Sequence, residues 1–389
     1  MNKEKILVGL SGGVDSAVAA YLLKEQGYDV TCCFMRNWDA LTNNDIQGNP
    51  TIMDDTCPQE QDYMDAKAVA EHLGLPLLRV DFIKEYWDYV FQTFLNEYEK
   101  GRTPNPDILC NKYIKFDAFF DYAMENGFDK VATGHYCSNE KDNDYTYLTR
   151  AADQNKDQTY FLCQISEKAL AKTIFPLGKL TKPEVRKIAL ELDLESVATK
   201  KDSTGICFIG ERNFRQFLSN YLPNKEGDIV DIDTGKTIAR HIGVLYYTIG
   251  QRKGLNIDHE KGPWFVCGKD VKKNILFVCR QDHKEWLYSN KCIVKGINWL
   301  VPDVHEIPES CTCKFRYRQP DQDIKILSID HDTAVVAYPQ KIASVTIGQE
   351  AVFYHGHRCL GGGVIEQVFI DEEDLNEKIL NTYKEKCCG

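Results

Sequence analysis

The sequence predicts an N-terminal α/β domain on a parallel, Rossmann-like sheet (residues 1–203), a small mixed central domain (204–281), a C-terminal β-barrel (282–370) and a charged tail (371–389). Three observations carry this. From Met1 to about Ser203, short apolar runs alternate with helical patterns, as in a parallel sheet with crossover helices. Between Glu211 and about Gln281 the texture changes to short strands punctuated by turn glycines such as Gly227, Gly235, Gly243 and Gly250. From about Lys291 to Ile370 the runs are strand-like throughout, at the spacing of a small barrel or sandwich.

Ile6, Leu7 and Val8 with Leu10 form an apolar run long enough for a buried parallel strand and too short for a helix. Ser11-Gly12-Gly13-Val14-Asp15-Ser16 follows, and its glycines allow a tight turn with bare amides facing outward. Ala17 to Gln26 reads as a helix, with Val18, Tyr21 and Leu22 on one face and Gly27 at its end. Strand, amide turn and helix start converge into an anion site, for which phosphate is the natural occupant. It is not the Walker pattern, since no lysine follows Gly13, and G-x-G-x-x-G is absent from the turn. Gly235-Lys236-Thr237 lacks the upstream glycine, Val230 standing in its place, and reads as a hairpin turn.

Further along, 29–35 and 77–80 read as strands, 37–56 as an exposed polar loop, and 62–73 as a helix. Lys130 to His135 reads as a strand ending in a tight turn, at the edge where open α/β sheets bind ligands. Pro183 to Leu192 is a helix with proline in its first turn. The tail holds a short helix within 373–383, and Cys387-Cys388 reads as incidental.

The chain has 389 residues, 43% hydrophobic and 27% charged, ordinary for a globular protein. It shows no signal peptide, no Arg-rich transit segment and no apolar run near the ~18 residues a membrane span needs. Its 15 cysteines are irregularly placed, with no C-x-x-C, which points to reduced thiols in a cytoplasm and not to a disulfide framework. Cys32-Cys33 and Cys311-x-Cys313 lack zinc-finger spacing and no H-E-x-x-H occurs, so no metal site is expected. The net charge of −11 disfavours nucleic acid, yet Lys112 with Lys115, Arg252 with Lys253, and Lys314, Arg316 and Arg318 could form local positive faces.

Two cysteines stand in contexts that suit chemistry. In Thr103-Pro104-Asn105-Pro106-Asp107-Ile108-Leu109-Cys110-Asn111-Lys112, the prolines hold the backbone extended and away from helix. A cation beside Cys110 favours the thiolate. The equally open alternative is a buried thiol opening a helix from Lys112 to Ala123. In Lys201-Asp202-Ser203-Thr204-Gly205-Ile206-Cys207-Phe208-Ile209-Gly210, a cysteine between two glycines lies at a domain junction, where either a mobile thiol or a hinge fits.

SGGVDS on its strand–turn–helix resembles the pyrophosphatase loop of ATP-dependent adenylating enzymes. NPDILCN, ATGHY, KDQTYFL, STGICFIG with ERNFRQFL, YTIGQRKGL and RYRQ then follow in order. Together they resemble the bacterial tRNA-specific 2-thiouridylases, over nearly the whole chain from Lys5 to about Ile370; the tail beyond is longer than the family requires. The resemblance implies an ATP pyrophosphatase domain in which Gly9, Leu10, Ser11, Gly12, Gly13, Val14, Asp15 and Ser16 cradle phosphates, with Met35 lining the adenine pocket and Gly134 closing the site. It implies that Asn105, Pro106 and Asp107 touch the target base, and that Lys156, Asp157, Gln158, Arg316 and Tyr317 contact tRNA. Cys110 would be the nucleophile and Cys207 the persulfide carrier.

The implied reaction is 2-thiolation of the wobble uridine at position 34 in the anticodon loop, using ATP with Mg2+. AMP on O2 turns that oxygen into a leaving group, and a tethered persulfide delivers sulfur with a proximity advantage that dilute hydrosulfide lacks. Attack by Cys110 on the inner sulfur of Cys207 leaves a Cys110–Cys207 disulfide, which a thiol reductant must reopen. The implied partners are tRNA, a sulfur donor or relay protein downstream of a cysteine desulfurase, and that reductant. Tyr317 between two arginines offers a stacking face for RNA or, equally, a ring packed inward. Two other classes remain: an adenylate-forming amide or guanidino ligase of the same superfamily acting on a small metabolite, and a non-catalytic tRNA-binding protein.

Overall fold

A computed structural model describes residues 3–49, 58–200, 209, 213–257 and 262–388. Strand β1 (Lys5–Gly9) runs parallel to β2 (Asp29–Arg36) on one side and to β4 (Lys130–Ala132) on the other. With β3 (Leu77–Asp81) and β7 (Thr173–Ile174) they form one parallel sheet ordered β3-β2-β1-β4-β7. The order reverses between β1 and β4, so the loops after those two strands open onto the switch-point crevice. Helix α1 (Val14–Glu25) packs Ala17, Val18 and Leu23 on one sheet face, together with α2 (Pro58–His72) and the helix Lys182–Glu191. The other face carries an aromatic helical layer from Ile83 to Glu125, broken by two wide π-helical turns at Tyr86–Phe91 and Asn111–Ala118.

The central unit is a four-stranded sheet of β8 (Gly227–Asp231), β9 (Thr237–His241), β10 (Trp264–Asp270) and β11 (Ile275–Arg280). Gly235, at φ +71, closes the β8–β9 turn, so Gly235-Lys236-Thr237 is the hairpin its sequence implied. The barrel closes with six strands, β12 (Tyr288–Trp299), β15 (Thr333–Ala343), β14 (Gln322–Asp330), β13 (Ser310–Lys314), β16 (Glu350–His355) and β17 (Arg358–Ile370), the last pairing back to β12. The predicted fold class is the observed one.

Three features differ from the sequence reading or go beyond it. Strands β5 (Ser138–Asp142) and β6 (Tyr145–Thr149) form a hairpin that leaves the N-terminal sheet and pairs with the barrel at Thr149–Arg358. Proline at 106 does not hold the chain extended. It occupies the first turn of a helix, Pro106–Cys110, where its missing N–H has no intrahelical partner to lose, and Asn105 caps that helix. The tail is a helix, Leu375–Cys388, longer than expected, and it docks on the central sheet by setting Ile379 against Gly268 and Tyr383 against Phe277. Among the described residues, no helix is long and apolar enough to cross a membrane.

Glu350 lies buried where the barrel meets the N-terminal domain, and Tyr160 Oη donates to its backbone carbonyl at 3.0 Å. Its Oε2 has no hydrogen-bond partner, and burial pushes its carboxyl up to about 8 against the pull of Lys112. A carboxyl raised in the folded state contributes its stability fully below the ordinary carboxylate range and loses it as pH rises through the folded value. Glu350→Gln is therefore expected to raise the melting temperature relative to the wild type at pH 8.5 and to change it little at pH 4.5. Thermal melts at the two pH values check this, and an equal shift at both would contradict it.

Candidate functional site

At the switch point, Leu10 to Gly13 leads from β1 into α1. Gly12 has φ +75, and a Cβ there would lie 2.4 Å from the Asp62 carbonyl oxygen, so only glycine fits. Ser16 Oγ donates to the Gly13 carbonyl at 3.0 Å and accepts from the Ser11 amide at 3.1 Å, which locks the loop on the helix start. Gly13 is the N-cap and no side chain caps α1, so the amides of its first turn face the crevice together with the positive dipole end. Such a loop takes an anion.

Gly134, in the loop after β4, presses against this turn. A Cβ on it would stand 2.8 Å from both Asp15 C and Ser16 N. Met35, at the end of β2, comes within 3.2 Å of a Cβ on Gly9 and is buried. The structure thus gathers Gly9 to Ser16, Met35 and Gly134 into one place. It adds two residues that sequence reading missed. Lys182 Nζ pairs with both oxygens of Asp15 at 2.8 Å, and Tyr136 Oη donates to Asp15 at 2.7 Å. Residues so far apart in the chain give no local signal of this pairing. His135 sits beside them, its Nδ1 2.8 Å from Thr133 Oγ1, and burial with nearby Lys115 holds its imidazole well below its usual range, so it is neutral.

Cys110 is 0% exposed, in the helix Pro106–Cys110. Asn105 Oδ1 accepts from the amides of Asp107 and Ile108, so this side chain sets the helix start. The helical run continues past Cys110 to the switch point: Phe116 lies 5.8 Å from the His135 ring, and Phe119 reaches 3.9 Å from a Cβ on Gly9. Cys110 is thus a buried thiol in a helical run that leads to the glycine turn after β1.

The segment Asp157–Phe161 joins the remaining motifs. Gln158 Oε1 accepts from the Tyr136 amide at 2.8 Å, on the loop side. Asn111 Nδ2 donates to the Phe161 carbonyl at 3.1 Å, next to Cys110. The Phe161 and Tyr317 rings meet with centroids 4.3 Å apart, and Thr159 Oγ1 lies 3.2 Å from Tyr354 Oη of the barrel, within hydrogen-bond distance. One short segment thus contacts the loop after β4, the helical run past Cys110 and the barrel.

Three expected RNA contacts point inward. Asp157 is 3% exposed and accepts from the Ala151 amide and Thr159 Oγ1, so its carboxylate holds its own loop. Arg316 donates to the carbonyls of Ile249 and Ser344 at 3.1 and 2.7 Å and ties the central unit to the barrel. Tyr317 is half-buried on Phe161. These side chains shape the surface from beneath, while Arg318 is exposed beside them. Cys207 lies outside the described residues. The chain on either side of its segment is anchored on the N-terminal domain. Lys200 Nζ bridges Asp62 and Asp65 of α2 at 2.6 and 2.9 Å, and Phe214 packs on Phe94 and Tyr98.

Ten cysteines besides Cys110, at 32, 33, 137, 163, 267, 279, 292, 311, 313 and 359, are buried with free thiols. Burial pushes such thiols as Cys33, Cys137 and Cys163 well above the usual range, so they are inert apolar fillers. Among the described residues, Asp233, His283 and Glu285 alone group as metal ligands could, where the central unit meets the start of the barrel unit. Lys386 Nζ already donates to the Asp233 carbonyl there, and a fixed cation opposes a second one.

Three family models match the chain. These are a tRNA methyl transferase HUP domain over residues 4–211, a tRNA methyl transferase PRC-barrel domain over 215–280, and an aminomethyltransferase beta-barrel domain over 289–365. The chain is 57% identical over 376 residues to the tRNA-specific 2-thiouridylase MnmA of Mycoplasma mycoides subsp. mycoides, covering 94% of this chain and 99% of that one. The protein of that name from Mesoplasma florum is 56% identical over 94% of this chain and 100% of its own length. That from Acholeplasma laidlawii is 53% identical over 95% and 98%.

Proposed function

Since the chain belongs to the tRNA-specific 2-thiouridylase family, we propose that it replaces O2 of the wobble uridine of tRNA by sulfur at the expense of ATP. It is an enzyme, a sulfurtransferase acting on tRNA. The observation that carries the finer reading is the convergence on Asp157–Phe161, which joins the Cys110 helical run and the barrel to the loop after β4, whose Tyr136 in turn holds Asp15 of the glycine turn.

In this reading the Gly12–Gly13 amides and the α1 N-terminus hold the ATP phosphates, and Met35 lies under the adenine. Asp15, positioned by Lys182 and Tyr136, orients the loop. ATP enters with Mg2+. Mg2+ accompanying ATP would supply charge neutralisation at the phosphates, and Asp15, held by Lys182 and Tyr136, is the carboxylate at the loop nearest to where it would act. The crevice stabilises negative charge as O2 takes AMP and pyrophosphate departs. Asn105, Pro106 and Asp107 sit at the open start of the Cys110 helix, where an extruded base would rest, and a base already unpaired costs least to extract.

Sulfur then comes from a persulfide on Cys207. Its terminal sulfur attacks C2 and AMP leaves. Cys110 attacks the inner sulfur and leaves a Cys110–Cys207 disulfide, which a thiol reductant reopens with two electrons. Ile209, two positions beyond Cys207, is buried in the same core as Cys110, which supports their meeting. Because Cys110 is fully buried, this step needs the helix start to open when RNA enters. A persulfide relay fed by a cysteine desulfurase supplies the sulfur, and the enzyme works in the cytoplasm. We further propose that the functional units follow 1–203, 204–281 and 282–370, with 371–389 as an appended tail.

Labelled sulfur from cysteine, passed by a desulfurase onto unmodified tRNA, tests the reaction. The label is expected on tRNA only when ATP is present. Pyrophosphate release that follows a small metabolite and ignores tRNA would instead support the ligase alternative.

A further inference from the structure

The three residues just before the Pro104-Asn105-Pro106-Asp107 stretch are held by the other two units. Gly101 turns with φ +79, and its carbonyl accepts from Lys269 Nζ of β10 at 3.0 Å. A Cβ on Gly101 would lie 2.4 Å from Val271 of the same unit, so the contact is tight. Arg102 pairs with Glu97 of its own domain at 2.8 Å and with Glu366 of β17 at 2.7 Å. The Thr103 amide donates to the Ile347 carbonyl at 3.1 Å, and Gln349 Nε2 donates back to the Thr103 carbonyl at 2.6 Å. Gly348, at φ +93, lets the barrel come so close that a Cβ would stand 2.7 Å from the Thr103 nitrogen.

Lys269 is the unusual member. It is 8% exposed, and burial alone drives its ammonium down to about 7. A buried amine on which no carboxylate among the described residues acts is an expensive way to hold two domains together, since an apolar side chain of the same length would fill the space without desolvation cost. What the amine supplies and a methylene chain cannot is a directed bond to one carbonyl.

We propose that Gly101–Thr103 is a clamp through which the central sheet and the barrel jointly place the Asn105–Cys110 segment, with Lys269 and Arg102 as positioning residues for sulfur transfer. The clamp rests on the thiolation reading above. It ties the placement of the base-contacting helix to the docking of all three units, so the thiol takes its working position only in the assembled molecule. An error of about 1 Å in such placement can cost a hundredfold in rate.

The test is Lys269→Met in the full-length enzyme, with thermal melting, ATP affinity and single-turnover thiolation of tRNA measured side by side. The expected result is a melting temperature equal to or above the wild type, unchanged ATP affinity, and a thiolation rate lowered about tenfold or more. A merely structural lysine would lower stability and leave the rate of the folded fraction unchanged, and that pattern overturns the clamp. If Lys269→Met does not fold, Glu366→Gln, which weakens the Arg102 anchor from the barrel side, decides. A fall in rate with ATP affinity intact supports the clamp, and a rate within twofold of wild type overturns it. A wild-type enzyme that transfers no sulfur would fail the functional reading itself, which is distinguishable from either outcome.

Discussion

Cys110→Ser and Cys207→Ser are each expected to lower thiolation of tRNA by roughly a thousandfold or more, the scale on which loss of an enzymic nucleophile acts. A serine hydroxyl is a weak nucleophile at neutral pH and carries no persulfide. The two variants should differ in stability. Cys110 is 0% exposed within the core, so a hydroxyl there costs on the order of 1–3 kcal/mol unless it finds an acceptor. Cys110→Ala removes the thiol without burying a hydroxyl and serves as the control. Because neither thiol belongs to the phosphate loop, ATP binding should survive in all three variants. Mass spectrometry of digested tRNA reads the outcome, and normal 2-thiouridine from any of them would remove that cysteine from the mechanism.

Gly134→Ala should produce the second large effect, at the other end of the crevice. The added Cβ meets backbone, Asp15 C and Ser16 N at 2.8 Å, and neither atom can rotate away. Either the loop after β4 or the start of α1 must move, and overpacking of this kind costs about 1–3 kcal/mol. If that displacement falls on the amide turn, ATP affinity drops about ten- to a hundredfold. tRNA binding should change little, because the barrel surface is built from other strands. Calorimetry with ATP and filter binding with tRNA separate the two. Equal loss of both would mean that the substitution unfolds the domain and that Gly134 does not act on the nucleotide loop specifically.

The contrast between these positions shows what could be read from the chain. The loop Ser11–Ser16 was legible because strand, glycine turn and helix are contiguous, and local rules suffice. The hairpin turn at Gly235 was legible for the same reason. The β5–β6 hairpin was not, because it pairs with a strand beginning more than two hundred residues later, at Arg358. Pro106 misled because proline is compatible both with an extended segment and with a first helical turn, and the Asn105 cap decides between them. The tail read as charged with a short helix and no assigned contact, yet Ile379 is buried at Gly268.

The site divides along the same line. Asp15 could be named, but not the Lys182 and Tyr136 that hold it. Asp157 and Arg316 lie in motifs that resemble RNA-contacting ones, and the structure turns both inward, where their bonds support the surface. Lys269 carried no signal at all: a lysine in a strand reads as solvent-facing until its buried bond to Gly101 is seen. Charge composition was equally silent, because a net −11 says nothing about one local face.

Peptide mapping of enzyme loaded with persulfide sulfur, and allowed one turnover on ATP and unmodified tRNA without reductant, tests the central claim most directly. The mechanism predicts one new cross-linked peptide pair joining Cys110 to Cys207, in amount equal to the 2-thiouridine formed. Thiolated tRNA appearing with both cysteines still free would contradict it.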